Sequence, residues 1–197
     1  MPARRGSRRE EILRVAVQEF ASRGYHGVSI DDIGAAAGVS GPALYHHFRG
    51  KEAILAAALV PVSEHLLAEG RRTVAAAPDP RAALHALVGF HVEFAVENQA
   101  VITLHFHELD RLPEDSRRLV RRLQREYVEE WVSVLVAVRP ELTSDQARVA
   151  AHAVFGLINS TPFLGGAPGE PAPEVVAGTL RAMALAALLD SRLTGPS

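Results

Sequence analysis

Nine histidines and no cysteine decide which chemistries are open to this 197-residue chain. Without a thiol, disulfides, thiolate zinc sites, iron–sulfur clusters and cysteine nucleophiles are excluded. A metal could be held only by His, Asp or Glu. The densest cluster is His105, His107, Glu108 and Asp110. Residues two apart on a helix face away from each other, so His105 and His107 are poorly placed to share one ion. His91 paired with His105 or His152 is better placed, yet no two histidines stand four apart. No metal and no cofactor are therefore expected. A metal hydrolase using His105, Glu108 and Asp110 is a remote alternative: no activated nucleophile, phosphate loop or spaced ligand set supports it.

A second set of chemically capable residues lies between Ser29 and Lys51. Ser29 and Ser40 each stand where a side-chain oxygen would cap a short helix. Asp32, three residues after Ser29, completes the pattern of a capping box. Gly38 ends the first of these helices, and Pro42 opens the second at a position where a missing N–H costs nothing. The second helix, ending near Phe48, is too short to stand alone and must be held by packing. Val28, Ile30, Ile33, Ala37, Val39, Leu44 and Phe48 are spaced to bury against a preceding helix. Gly41, Pro42, Ala43, Tyr45, His46 and His47 are left on or near the open face. A helix-turn-helix unit presents its second helix to a DNA major groove in this way.

The elements that must position these residues are helical throughout. Breakers at Gly24, Gly38, Gly50, Pro78–Pro80, Pro113, Pro140 and 165–173 divide the chain into about nine helices. The first spans 7–23, with Ile12, Val15, Ala16 and Phe20 on its apolar stripe. A fourth helix is expected from Lys51 to about Ala75, kinked at Pro61. The fifth covers 80–97, the sixth 99–109 and the seventh 113–138. The eighth follows Thr143 and ends near Pro162; the ninth covers 174–192.

Charge is uneven. Residues 1–52 hold eight Arg and Lys against six Asp and Glu, while the whole chain has a formal charge of −2. A basic head on an acidic body can suit a polyanionic partner. The early Arg4, Arg5, Arg8 and Arg9 are either a solvated tail or an arm reaching phosphate or minor groove. The basic N-terminus has no apolar core of a secretory signal. The apolar run from Ala182 to Leu189 is too short to span a bilayer. A soluble cytoplasmic protein without a membrane partner is expected.

The stretch Ser29-Ile-Asp-Asp-Ile-Gly-Ala-Ala-Ala-Gly-Val-Ser-Gly-Pro-Ala-Leu-Tyr-His-His-Phe-Arg-Gly-Lys-Glu52 closely resembles the DNA-binding signature of TetR-family regulators. It shares the opening hydroxyl residue, the Ala-Gly-Val-Ser turn, the Tyr-x-His-Phe and the closing Lys-Glu. It departs at Gly34, where Ala is usual. The resemblance implies an all-α fold: an N-terminal three-helix helix-turn-helix DNA-binding domain, 1–52, and a helical-bundle ligand-binding and dimerisation domain, 53–197. It implies phosphate contacts from Ser29, Tyr45 and Lys51, which fix register without reading sequence. It places Gly41, Pro42, Ala43 and His46 toward base edges, where Ala43 or Pro42 could meet a thymine methyl and His46 a guanine N7.

The body carries two further signals. The eighth and ninth helices are apolar on most sides, which calls for burial on more than one side. The resemblance makes this a two-fold dimer interface. Polar groups interrupt the apolar stripes of helices five to eight, as in a small-molecule pocket. The candidates are Phe90, His91, Phe94, His105, Glu108, Tyr127, Trp131, Phe155 and Asn159. The expected function is a ligand-responsive repressor that binds a palindromic operator on double-stranded DNA as a homodimer. A hydrophobic or amphipathic effector, such as a fatty acyl thioester, would release it. A multidrug-type or metal-responsive repressor with the same DNA head is the alternative.

Overall fold

The computed structural model describes residues 8–164 and 171–190. Arg4, Arg5, most of the Gly/Pro-rich stretch and the end of the expected ninth helix lie outside the described residues. Among those described there are nine α-helices and no strand. They are α1 (Arg8–Arg23), α2 (Ile30–Ala37), α3 (Gly41–His47), α4 (Lys51–Ala76), α5 (Pro80–Glu97), α6 (Gln99–His107), α7 (Glu114–Val138), α8 (Ser144–Ile158) and α9 (Pro173–Leu189). Two 3-10 turns, Leu109–Arg111 and Thr161–Phe163, follow α6 and α8. The expected all-α architecture is therefore observed, with α8 ending earlier than Pro162.

Where the sequence divides at residue 52, packing divides the chain differently. One compact unit takes residues up to Val62 together with Ala100–Val120; the other takes Ser63–Gln99 and the chain from Arg121 onward. The first unit is built on α1, whose Ile12, Ala16 and Phe20 recur every fourth residue and are all buried. Ile33 and Ala37 of α2, Leu44 of α3, and Ile54, Leu55, Ala58 and Leu59 of α4 close over that stripe. Leu104, Leu112 and Val120 complete the same core. The apolar stretch that bears on membranes is thus in α4 rather than at 182–189. By length and composition α4 alone among the described helices would suit a span, but its large side chains Ile54, Leu55 and Leu59 are fully buried in this core.

The second unit packs α5, α8 and α9 against one another. Leu84, Leu87, Val88 and Ala95 of α5 bury with Ala147, Ala151, Val154 and Ile158 of α8 and Leu180, Ala184 and Leu188 of α9. The buried Arg139 guanidinium, just past α7, donates to the carbonyls of Leu188 (3.2 Å) and Asp190 (2.5 Å) at the end of α9. A cation there meets the negative end of the helix dipole. Thr161, fully buried, donates its hydroxyl to the Ala95 carbonyl at 2.9 Å.

Caps fix the short helices. Ser29 Oγ accepts from the Asp32 N–H at 3.0 Å, and Asp32 Oδ2 accepts from the Ser29 N–H at 2.7 Å. This is the capping box read from the sequence. The Ser29 hydroxyl and backbone hold the Asp32 carboxyl below its usual range. Gly38 ends α2 in the left-handed region, at φ +65°, where a Cβ is unfavourable. Replacing Ser29 with Ala should destabilise the fold by about 1 kcal/mol through the lost cap. Gly38→Ala should cost about 1 kcal/mol through backbone strain. Chemical denaturation of both variants checks this; wild-type midpoints would contradict the capping assignment.

Candidate functional site

The helix-turn-helix face is assembled from local rules. Val39 donates its N–H to the Gly34 carbonyl at 2.8 Å, which folds the turn back on α2. A Cβ at residue 34 would lie 2.9 Å from the Val39 oxygen, so the departure from Ala accompanies an unusually close turn. Ser40 Oγ caps α3 by accepting from the Ala43 N–H, with Pro42 in the first turn. Leu44 and Phe48 point into the core. Pro42, Ala43, Tyr45 and His46 are exposed, Gly41 and His47 half-buried. Tyr45 is 57% exposed, so its ring and hydroxyl stand on the open face of α3. The His46 and His47 rings meet edge to face at 5.7 Å.

Two residues expected on phosphates are engaged within the protein. The Ser29 hydroxyl donates to Asp32 Oδ2 at 2.6 Å. Lys51 Nζ donates to the carbonyls of Tyr25 and Val28, each at 2.7 Å, and stands 4.4 Å above the Tyr25 ring. Arg8 and Arg9 open α1 and, though exposed, make contacts within the protein. Arg8 donates to the Gly38 carbonyl at 2.8 Å and pairs with Glu11; Arg9 covers the Phe48 ring at 4.7 Å.

The effector candidates divide between the units. His105 and Glu108 belong to the first. Burial lowers the His105 pKa, and Glu108 Oε1 accepts the Tyr25 N–H at 3.2 Å. The others lie in the second unit, and five of them converge around His91. Phe155 lies 4.9 Å from the His91 ring, Tyr127 5.7 Å, Trp131 5.9 Å and Phe94 6.2 Å. Asn159 Oδ1 is 3.2 Å from His91 Nε2. Phe90 stands beside His65 instead, at 6.0 Å. With Asn159 Oδ1 accepting, Nε2 carries the proton, and Nδ1 is free to accept from the Tyr127 hydroxyl at 3.3 Å. The resulting relay runs from Tyr127 through His91 to Asn159, across α7, α5 and the end of α8.

Burial keeps this relay uncharged. It depresses the His91 pKa to about 4, against a smaller opposing effect of the Asn159 hydrogen bond. It also pushes the Tyr127 phenol well above its usual value, with the neighbouring Trp131 indole offsetting part of the rise. Trp131 Nε1 is buried without a well-formed hydrogen bond among the described residues. The Tyr127 ring lies against Gly70 of α4, a contact the sequence reading missed because a lone helical glycine carries no signal of what it faces. Among the described residues no three His, Asp or Glu side chains are grouped to share a cation.

A capped helix-turn-helix with an exposed recognition helix, on a chain whose other unit is a helical bundle, defines a DNA-binding regulator. Residues 12–58 match the family model described as bacterial regulatory proteins of the tetR family, and residues 77–188 match that of the tetracyclin repressor-like C-terminal domain. The chain belongs to the TetR family of ligand-responsive transcriptional regulators. It is 28% identical over 187 residues to the transcriptional repressor KstR2 of Rhodococcus jostii, covering 94% of this chain and 91% of the relative. A TetR-family regulator from Bordetella parapertussis superimposes with a TM-score of 0.82 at 29% identity, covering 97% of this chain and 98% of that one. The ketosteroid transcriptional regulator KstR2 of Mycobacterium tuberculosis gives 0.75 at 26% identity, covering 92% and 95%.

The neutral His91 has a sign-definite consequence. Its folded pKa, about 4, lies below the ordinary histidine value of 6.5. The unfolded chain therefore binds more protons between those values, and stability falls as pH falls through that window. The loss should approach roughly 3 kcal/mol by the lower end. Denaturation from pH 7 to 4 should show a shallower decline for His91→Phe than for wild type. Parallel declines would place the titrating group elsewhere.

Proposed function

We propose that this regulator is a repressor that binds a palindromic operator as a homodimer and leaves it on binding a hydrophobic or amphipathic effector. Family membership supports regulation rather than catalysis. The carrying observation is the uncharged relay of Tyr127, His91 and Asn159 among Phe94, Trp131 and Phe155. Such a site favours an apolar skeleton with a hydrogen-bonding group and disfavours a buried charge. The likeness to KstR2, a ketosteroid regulator by name, points to the same chemistry; a fatty acyl thioester, apolar chain and carbonyl together, also satisfies it.

The dimer reading rests on α8 and α9. Their inner stripes are buried within one chain, yet Val149 and Met183 on the outer sides are 70% and 50% exposed. Gly156 and Gly178 leave open space around them on the same two helices. Small and apolar residues together suit close helix packing against a second copy, and two-fold pairing lets one short helix read two half-sites. On α3 the contacts proposed toward DNA are Tyr45 to phosphate and Gly41, Pro42, Ala43 and His46 toward base edges, with His47 beside them near the open face.

Trp131 is the single tryptophan of the chain and stands inside the candidate effector site. Titration with a long-chain acyl-coenzyme A and with a ketosteroid should change its fluorescence for at least one of them. The same compound should release a duplex that the protein has selected from random sequence. Release without a change in Trp131 emission would move the effector away from this cluster. Val149→Glu and Met183→Glu should each shift the protein from dimer to monomer in light scattering and weaken binding to a palindrome more than to a half-site. A dimer that survives both would move the interface off these helices.

A further inference from the structure

Tyr25 is gripped at both of its backbone polar groups. Glu108 Oε1, 83 residues away, accepts its N–H at 3.2 Å, and Lys51 Nζ donates to its carbonyl at 2.7 Å. Lys51 also takes the Val28 carbonyl at 2.7 Å. These residues bound the short loop that delivers the chain to Ser29, the cap of α2. The loop's side chains are anchored as well: Tyr25 and Val28 are buried, and the Tyr25 ring packs on Phe20 at 5.2 Å. We propose that Glu108, Tyr25 and Lys51 form a clamp that sets the position of α2 and α3 for DNA, with Lys51 and Glu108 acting as positioning residues rather than as phosphate and effector contacts.

The geometry favours this assignment on two grounds. An ammonium has three N–H donors, and Lys51 directs two of them inward to carbonyls while its charge lies over the Tyr25 ring. Leaving for a phosphate would strip charge-assisted bonds from two partly buried carbonyls. The Glu108 carboxylate, in turn, is committed to a backbone N–H in the same unit as α1 to α3. A carboxylate and an ammonium on opposite polar groups of one residue fix that stretch of backbone. The N-cap of α2 follows it directly, and α2 is tied to α3 by the Val39–Gly34 bond.

Phosphate contact and clamp differ in salt dependence. Each ammonium on a phosphate adds about 0.9 to the slope of log affinity against log salt, because it releases a counterion. A clamp changes affinity and leaves the slope. The test uses the full-length protein and a duplex selected from random sequence by the wild type, with affinity measured across a potassium chloride series. Lys51→Gln and Glu108→Ala should each bind about tenfold more weakly with an unchanged slope. Glu108→Gln, whose amide oxygen still accepts the Tyr25 N–H, should bind like wild type. Lys51→Met keeps the stem against the Tyr25 ring and serves where Lys51→Gln does not fold.

Amide hydrogen exchange at Tyr25, without DNA, should accelerate in Glu108→Ala and not in Glu108→Gln. A slope lowered by about 0.9 per protomer in the Lys51 variants would return the ammonium to a phosphate and overturn its part of the clamp. Wild-type affinity and wild-type Tyr25 exchange in Glu108→Ala would overturn the rest. The inference rests on DNA binding by α3 for its affinity readout. Failure of that reading would leave the wild type unable to select a duplex, whereas the exchange readout would still judge the clamp.

Discussion

A recognition helix of seven residues cannot hold itself together. Nucleating a helix fixes several residues for a single hydrogen bond, and α3 has about two turns in which to recover that cost. Its rigidity is borrowed. Leu44 and Phe48 anchor it to the core formed with Ile12, Phe20 and Ile33. Ser40 caps one end, and the Phe48 N–H closes the other on the Leu44 carbonyl at 2.9 Å. Arg8 ties α1 to the Gly38 carbonyl at the turn before it, and Arg9 covers Phe48. The first unit is best understood as apparatus for holding these seven residues still while leaving one face bare.

That dependence explains what was legible in the sequence. Caps and stops are local chemistry, so Ser29, Asp32, Gly38, Ser40 and Pro42 announced α2 and α3 closely. Core positions such as Ile33, Leu44 and Phe48 followed from spacing. His91, Tyr127, Trp131, Phe155 and Asn159 were separately visible as polar or aromatic interruptions of apolar stripes, and the structure brings them together. The relay linking them was not visible, because it joins three helices and depends on which ring nitrogen faces which.

What failed to show was long-range. Nothing near Glu108 in sequence signals a partner at Tyr25, and a histidine-rich stretch beside it suggested an effector or a metal instead. The division of the chain was hidden for the same reason. A boundary at residue 52 is where the motif ends, but Leu104, Leu112 and Val120 complete the core beneath α1 and α4. A motif is read from contiguous residues; the packing that supports them is drawn from wherever the chain returns.

Charge is handled differently around the helix-turn-helix and in the cluster around His91. In the first, charged groups are kept and tied to backbone: Lys51 to two carbonyls, Arg8 to a third, Glu108 to an amide. Charge can remain there because these groups are exposed or half-buried, and ionic hydrogen bonds fix loops firmly. In the second, the buried cluster is held neutral, since an uncompensated charge among Phe94, Trp131 and Phe155 would cost more than its hydrogen bonds return. Of the positions proposed toward base edges, Gly41, Pro42 and Ala43 offer no side-chain donor, which leaves His46 as the donor α3 would bring to a base. A head with so few donors would draw specificity also from where α3 is held and from pairing with a second head. Fixing the Tyr25 loop therefore matters more here than it would for a helix rich in base-reading side chains.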